Sequence, residues 1–229
     1  MKRNVEIINT CKVNIMRLQF INTITHDEIP KLRGAILSKI ESPDILFHNH
    51  KDDGLRYKYP LIQYKIIDGK AVVLCVNEGV SQIHNFLTQE AWQMRLGSKT
   101  VQFELDEIYN SSEELKQTEE LCKYKLTNWL PLNSEKIKKY NNLNDLDRND
   151  MLKAILIGNI LSFSKGVDFW MKEKIEVPDL VISNSYKSNF KGNQFLSFDV
   201  YFKVNLMIPD AIGLGKGASV GNGVISKLN

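Results

Sequence analysis

The stretch Phe47-His48-Asn49-His50-Lys51-Asp52-Asp53-Gly54 gathers two of the chain's four histidines within three residues. An imidazole with an ordinary pKa of about 6.5 can accept a proton while a second one donates at neutral pH. Side chains at i and i+2 of an extended segment point the same way with Cα atoms roughly 7 Å apart, enough to flank one phosphate. RNA brings its own nucleophile to such a pair. One histidine would deprotonate the 2′-hydroxyl and the other protonate the departing 5′-oxygen, leaving a 2′,3′-cyclic phosphate. Lys39, Arg56, Tyr57 and Lys58 are close enough in sequence to stabilise the charge that grows on the phosphorane. A metal reading competes, because His48, His50 and Asp52 match the His-x-His-x-Asp start of binuclear zinc hydrolases. Two metal shells need further histidines downstream, and only His84 remains there. The expectation is chemistry without metal or cofactor; the bland alternative is a solvated pair of loop histidines. His26, ahead of the first helix, and His84, beside an apolar helix stripe, read as structural.

A second cluster is Gly213-Leu214-Gly215-Lys216-Gly217-Ala218-Ser219-Val220-Gly221-Asn222-Gly223. Its start fits the G-x-G-x-x-A dinucleotide fingerprint, but too little chain follows for the helix, strand and ribose-binding acid of that unit. Lys216-Gly217 lacks the Ser or Thr of a phosphate-binding Walker loop. Clustered glycines that lose entropy on folding need close backbone approach or positive φ to justify them. Exposed amides around Lys216 would suit the phosphates of an RNA backbone. A flexible tail is the other reading, opposed by Val220, Val224 and Ile225, which look packed.

Elements must hold these clusters in place. Lys12–Phe20 is β-rich, and Ile29-Pro30 opens a helix with apolar residues at 29, 32, 36 and 40. Tyr57–Ile67 and Ala71–Val76 are strand-like and joined by the Asp68-Gly69 hairpin signal. A helix stripe follows at Val80, Ile83, Leu87, Ala91 and Met94, then an alternating strand at Val101, Phe103 and Leu105. That βαββαβ order is the ferredoxin-like unit. The order starts again with a strand at Lys123–Trp129, a polar helix from Ser134 and a long helix at about 145–164, apolar on more than one side. Strands near Ile175–Ser183 and Phe195–Ile208 come next, leaving too few residues for a full second helix. The predicted fold is α+β, with two tandem ferredoxin-like domains, 1–97 carrying the His-x-His loop and 98–229 carrying the glycine-rich loop, the second incomplete.

The 229 residues, 43% hydrophobic and 25% charged, suit a folded protein rather than a disordered or collagen-like one. The longest apolar run, Ala71–Val76, is six residues, far short of a membrane span, and Met1–Asn4 does not lead into a secretory signal. A cytoplasmic protein is expected. Cys11, Cys75 and Cys122 are an odd number without CxxC spacing, so reduced thiols are expected rather than a disulfide framework. The formal charge is +3, with residues 1–95 and 180–229 each net basic and 96–179 net acidic, which permits a basic groove if the ends meet.

Taken together, the motifs resemble a known family. Gly213-x-Gly215, five residues, then Gly221-x-Gly223 near the end of a tandem ferredoxin-like chain is similar to the glycine-rich loop of the CRISPR-associated repeat-RNA (precursor-processing) endoribonucleases of the RAMP superfamily. Leu32-Arg33-Gly34, Leu46–His50, Arg56–Lys70 (with Tyr59-Pro60-Leu61-Ile62-Gln63-Tyr64-Lys65) and Asn77-Glu78-Gly79 resemble the His-x-His branch, so the likeness spans nearly the whole chain. It implies metal-independent cutting of CRISPR repeat RNA once per repeat, releasing guide RNAs. His48 and His50 would then be catalytic, with Tyr57 and Lys39 assisting. Arg56, Lys58, Gly213, Gly215, Lys216, Gly217, Gly221 and Gly223 would bind RNA. Asn222 departs from the aromatic or aliphatic residue commoner there. The alternative function is a guide-RNA-holding subunit of a CRISPR effector complex, which has no need of a His-x-His loop. A small-molecule hydrolase is disfavoured by the lack of G-x-S-x-G or HExxH motifs. The partner is precursor repeat RNA, with an effector complex or a homodimer left open.

Overall fold

The computed structural model describes residues 10–39, 59–88 and 92–228. β1 (Thr10–Thr23) buries Val13 and Ile15 on one face and Met16, Leu18 and Phe20 on the other. A strand apolar on both faces must be covered twice, and the rest of the fold supplies the two covers. After β1, the Glu28 carboxylate accepts a hydrogen bond from Thr25 N at 2.9 Å, which starts α1 (Ile29–Leu37) with Pro30 in its first turn. β2 (Ile62–Ile67) and β3 (Lys70–Val76) pair antiparallel across the Asp68-Gly69 turn. Asp68 at φ 49° and Gly69 at φ 78° are both left-handed there. α2 (Glu78–Leu87) then packs with α1 on one face of β1 and β3, against Met16, Leu18, Phe20, Val73 and Cys75.

Two expectations change at this point. Met94 leaves the helix stripe: α2 stops at Leu87, and Met94 lies in β4 (Gln93–Leu96), which forms a small hairpin with β5 (Lys99–Gln102). The strand that closes the first unit is therefore not Val101–Leu105 but the start of β6 (Leu105–Trp129), a single strand of 25 residues. Much of its first half is polar and exposed, so it lacks the alternation that marks a half-buried strand. Backbone pairing holds it instead, from Thr10↔Lys116 to Leu18↔Ile108 on β1.

The second half begins on that same strand. α3 (Ser134–Asn141) and α4 (Asp145–Gly166) follow, each capped by an asparagine side chain, Asn133 and Asn144. α4 buries one stripe, Leu152, Leu156, Ile160 and Phe163, rather than most of its surface. β7 starts and ends later than its apolar run suggested (Leu180–Phe190), and it pairs with β8 (Asn193–Met207). The chain closes with β9 (Val224–Lys227) on β6.

The main sheet runs β2-β3-β1-β6-β8-β7, with β9 also on β6. Read from the first unit, β2-β3-β1-β6 is the order of a ferredoxin-like βαββαβ fold; read from the second, β7-β8-β6-β9 is the same order. β6 is the last strand of one unit and the first of the next. In the second unit, the glycine-rich loop occupies the place where α2 stands in the first. α4 covers the other face of β1 and β3, with Leu156, Ile160 and Phe163 sharing a core with Val13, Ile15, Leu74 and Val76. Among the described residues, no helix is long and apolar enough to cross a membrane. Cys11, Cys75 and Cys122 are free thiols on β1, β3 and β6.

Candidate nucleic-acid interface

His48, His50, Arg56, Tyr57 and Lys58 lie outside the described residues. Lys39, just past α1, donates its backbone N–H to Ile36 O at 3.1 Å. The glycine-rich loop meets α1 at the helix's other end, through Gly221 against Ile29. Ten residues of helix at 1.5 Å each put about 15 Å between Lys39 and that contact. The structure thus separates Lys39 from the glycine loop.

The loop itself is a buried structure with one exposed turn. Gly213, Gly221 and Gly223 are buried, and Gly213 N and Gly223 N donate within the protein, to Gln63 Oε1 at 2.9 Å and to Asn128 O at 3.0 Å. Two of its glycines are required by space as well as by φ. A Cβ on Gly215 (φ 83°) would stand 2.5 Å from Asn159 Oδ1 of α4, an atom already accepting from Trp129 Nε1 at 2.9 Å. A Cβ on Gly221 (φ 81°) would stand 2.7 Å from Ile29 Cδ1. The loop is wedged between one helix of each half.

Only Gly215-Lys216-Gly217 turns outward, with Lys216 exposed. The amides of these three residues have no acceptor among the described residues, and successive free N–H groups in a turn form an anion-binding concavity. Lys216 Nζ sits 4.3 Å from the Phe195 ring centroid, and Lys191 lies over Phe190 on the neighbouring β7–β8 turn. Partial burial, then the Lys191 charge, lower the Lys216 pKa. Two lysines that repel each other gain from a shared anion.

Three side chains from the first half clamp this loop. Tyr59 Oη donates to Gly213 O at 2.8 Å and accepts from Gln63 Nε2 at 2.6 Å. Gln63 Oε1 accepts from both Gly213 N and, at 2.8 Å, Lys65 Nζ, which also donates to Ala211 O. Tyr64 N donates to Ser219 O at 3.0 Å between them. Gln63 and Lys65 are fully buried. Burial pulls the Lys65 pKa down to about 7, with the Asp210 charge opposing the shift in part, and burial pushes the Tyr59 hydroxyl up. Sequence reasoning gave these residues no role. Polar residues alternating with Ile62, Tyr64 and Ile66 read as a solvent face, whereas here they face the other half. The signal available was the recurrence of Tyr59, Gln63 and Lys65 inside the stretch that carries the family likeness. Among the described residues, no group of three or more His, Cys, Asp or Glu side chains could hold a metal ion.

Comparison with known proteins adds to this geometry. The family model described as the Cas6b N-terminal domain matches residues 11–114, and that described as the Cas6b C-terminal domain matches residues 116–228. A solved structure described as the crystal structure of Cas6b superposes with a TM-score of 0.81 at 27% identity, covering 95% of this chain and 100% of its own. Another, described as the CRISPR RNA processing endoribonuclease Cas6b, gives a TM-score of 0.73 at 26% identity over 95% and 100% of the two chains. The uncharacterized protein MJ0978 of Methanocaldococcus jannaschii is 34% identical over 117 residues, 51% of this chain and 79% of that relative.

Proposed function

The chain belongs to the Cas6b family, and from that premise we propose that it binds CRISPR repeat RNA and cuts once within each repeat to release guide RNAs. The observation that carries this reading is the end-to-end likeness to a structure described as a CRISPR RNA processing endoribonuclease.

The chemistry we assign is metal-independent attack by the 2′-hydroxyl, leaving a 2′,3′-cyclic phosphate and a 5′-hydroxyl. His48 and His50 exchange the two protons as base and acid, and Arg56, Tyr57 and Lys58 stabilise the phosphorane. Lys39 and Tyr59 bracket residues 40–58, the segment with both histidines. Tyr59 is pinned to Gly213, so Tyr57, two residues earlier, is tethered within about 7 Å of chain of a residue that holds the glycine loop. That tether supports a shared site for the histidine segment and the loop, despite 163 positions of sequence between His50 and Gly213. Within the loop, Gly215, Lys216 and Gly217 take a backbone phosphate, while Gly213, Gly221 and Gly223 act by shaping the turn. The RNA spans the halves 1–97 and 98–229.

The test is cleavage of the host's repeat RNA in excess EDTA, beside the same RNA with one 2′-deoxy nucleotide at the cut site. Only the all-ribose strand is cut, ending in a cyclic phosphate. His48→Ala and His50→Ala each slow cleavage by about 10²-fold or more with binding retained. Tight binding without cutting of either strand would assign a guide-holding role instead.

A further inference from the structure

A cleft of about 640 Å³ lies in the seam between the halves, walled by the start of α1, the β2–β3 turn, β7 and the inner side of the glycine loop. Three polar atoms of its lining residues, His26 Nε2, Ser188 Oγ and Asn222 Nδ2, are buried without a hydrogen-bond partner among the described residues. Asn222 as a whole is 2% exposed. Buried polar groups in folded proteins are nearly always paired, so three orphans around one cleft mark the polar edge of an absent ligand.

The lining says which ligand. No lysine or arginine lines the cleft, while Asp27, Asp68 and Asp210 do, so a phosphate is repelled and a group with N–H donors is favoured. Ile66 and Ile225 supply apolar wall and Tyr186 an aromatic one. A flat, uncharged ring with an amino group on its edge meets all of these demands. The outer turn of the same loop supplies the complementary half: Asn222 N donates to Gly217 O at 3.2 Å, so the cleft wall and the free-amide turn are one hydrogen-bonded unit.

We propose that this seam cleft is a nucleobase subsite, taking one unpaired base that carries an exocyclic amino group while a phosphate of the same RNA strand rests on Gly215-Lys216-Gly217. This rests on the RNA-binding reading above and adds a position at which sequence is read. An unpaired base is recognised by stacking and by its hydrogen-bonding edge, and loss of such a contact weakens binding on the order of tenfold.

The experiment is an abasic scan of the repeat RNA, one nucleotide at a time, against the wild type, Ser188→Val and Asp68→Asn. Valine suits a strand, fills part of the cleft and removes the hydroxyl. Asparagine tolerates the φ of 49° at position 68 and removes the charge. In the wild type, one unpaired position should lose about tenfold in affinity when abasic, and a similar amount when replaced by uridine. Ser188→Val should bind the intact RNA about tenfold more weakly and no longer sense that position; Asp68→Asn should accept uridine there. Wild-type binding and cleavage with identical abasic profiles in all three proteins would overturn the subsite and leave the nuclease reading standing. Failure of the wild type to bind any repeat RNA would remove both. Adenosine or cytidine raising the unfolding midpoint without any abasic effect would give the cleft to a free nucleoside. Free arginine doing so would give it to a partner protein's cation. Either result overturns the RNA assignment.

Discussion

Lys65 is fully buried where the two halves meet, and its pKa of about 7 ties the strength of that junction to pH. An unfolded lysine titrates near 10.4, so between pH 7 and 10 the unfolded chain holds more protons at this site than the folded one. Stability from this residue therefore rises with pH across that window and is at its lowest below pH 7, where both states are charged. Denaturant unfolding at pH 7 and pH 9.5 should show the wild type gaining about 2–3 kcal/mol relative to Lys65→Met, at 1.4 kcal/mol per unit. Equal pH slopes in the two proteins would mean that Lys65 is not desolvated. The neutral amine still has two N–H donors for Gln63 Oε1 and Ala211 O, so raising the pH need not break the clamp. His48 and His50 were legible as candidates because their residue type and spacing suffice to suggest chemistry. Gln63 and Lys65 were not, because a polar residue that alternates with apolar ones carries no mark of which face it takes.

At the level of elements, the glycine-rich loop stands where the first unit has a helix, and its glycines let it enter a space too narrow for side chains. Gly221 and Gly69 isolate that effect, since both have left-handed backbones, at φ 81° and 78°, but only Gly221 has a neighbour in the way. Gly69→Ala should cost about 1 kcal/mol for backbone alone. Gly221→Ala should cost roughly 1–3 kcal/mol beyond that, because its Cβ meets Ile29 Cδ1 at 2.7 Å. Urea unfolding of the two variants measures the difference, and equal costs would show that Ile29 moves aside freely. Elements with a regular apolar period, such as β1, β3 and α4, could be read from sequence nearly to their ends. The β4–β5 hairpin was lost because Met94 fits a helical stripe and a strand equally well.

Over the whole molecule, the shared strand β6 decides how the halves depend on one another. Its residues Leu105–Lys116 complete the sheet of the first unit on β1, and its residues Lys116–Trp129 begin the second on β8 and β9. No linker divides them, and the core under α4 includes Val13, Ile15, Leu74 and Val76 of the first half. Unfolding either unit would strip pairing or cover from the other. The tandem repeat was legible from element order, but a shared strand was not, since the polar middle of β6 carries no apolar pattern and only the pairing with β1 and β8 reveals it. Two tryptophans report the two halves separately. Trp92 stacks on Phe86 in the first core, and Trp129 is fully buried in the second. In a Trp170→Phe background, with either Trp92 or Trp129 also changed to Phe, the remaining emission should give the same denaturant midpoint in the two proteins once each Trp→Phe change is corrected for its own effect on calorimetric stability. Independent domains joined end to end would instead give two midpoints. Coincidence means that the clamp on the glycine loop and the cleft beside it are held by the same free energy that folds the chain, and would persist as long as either half is folded.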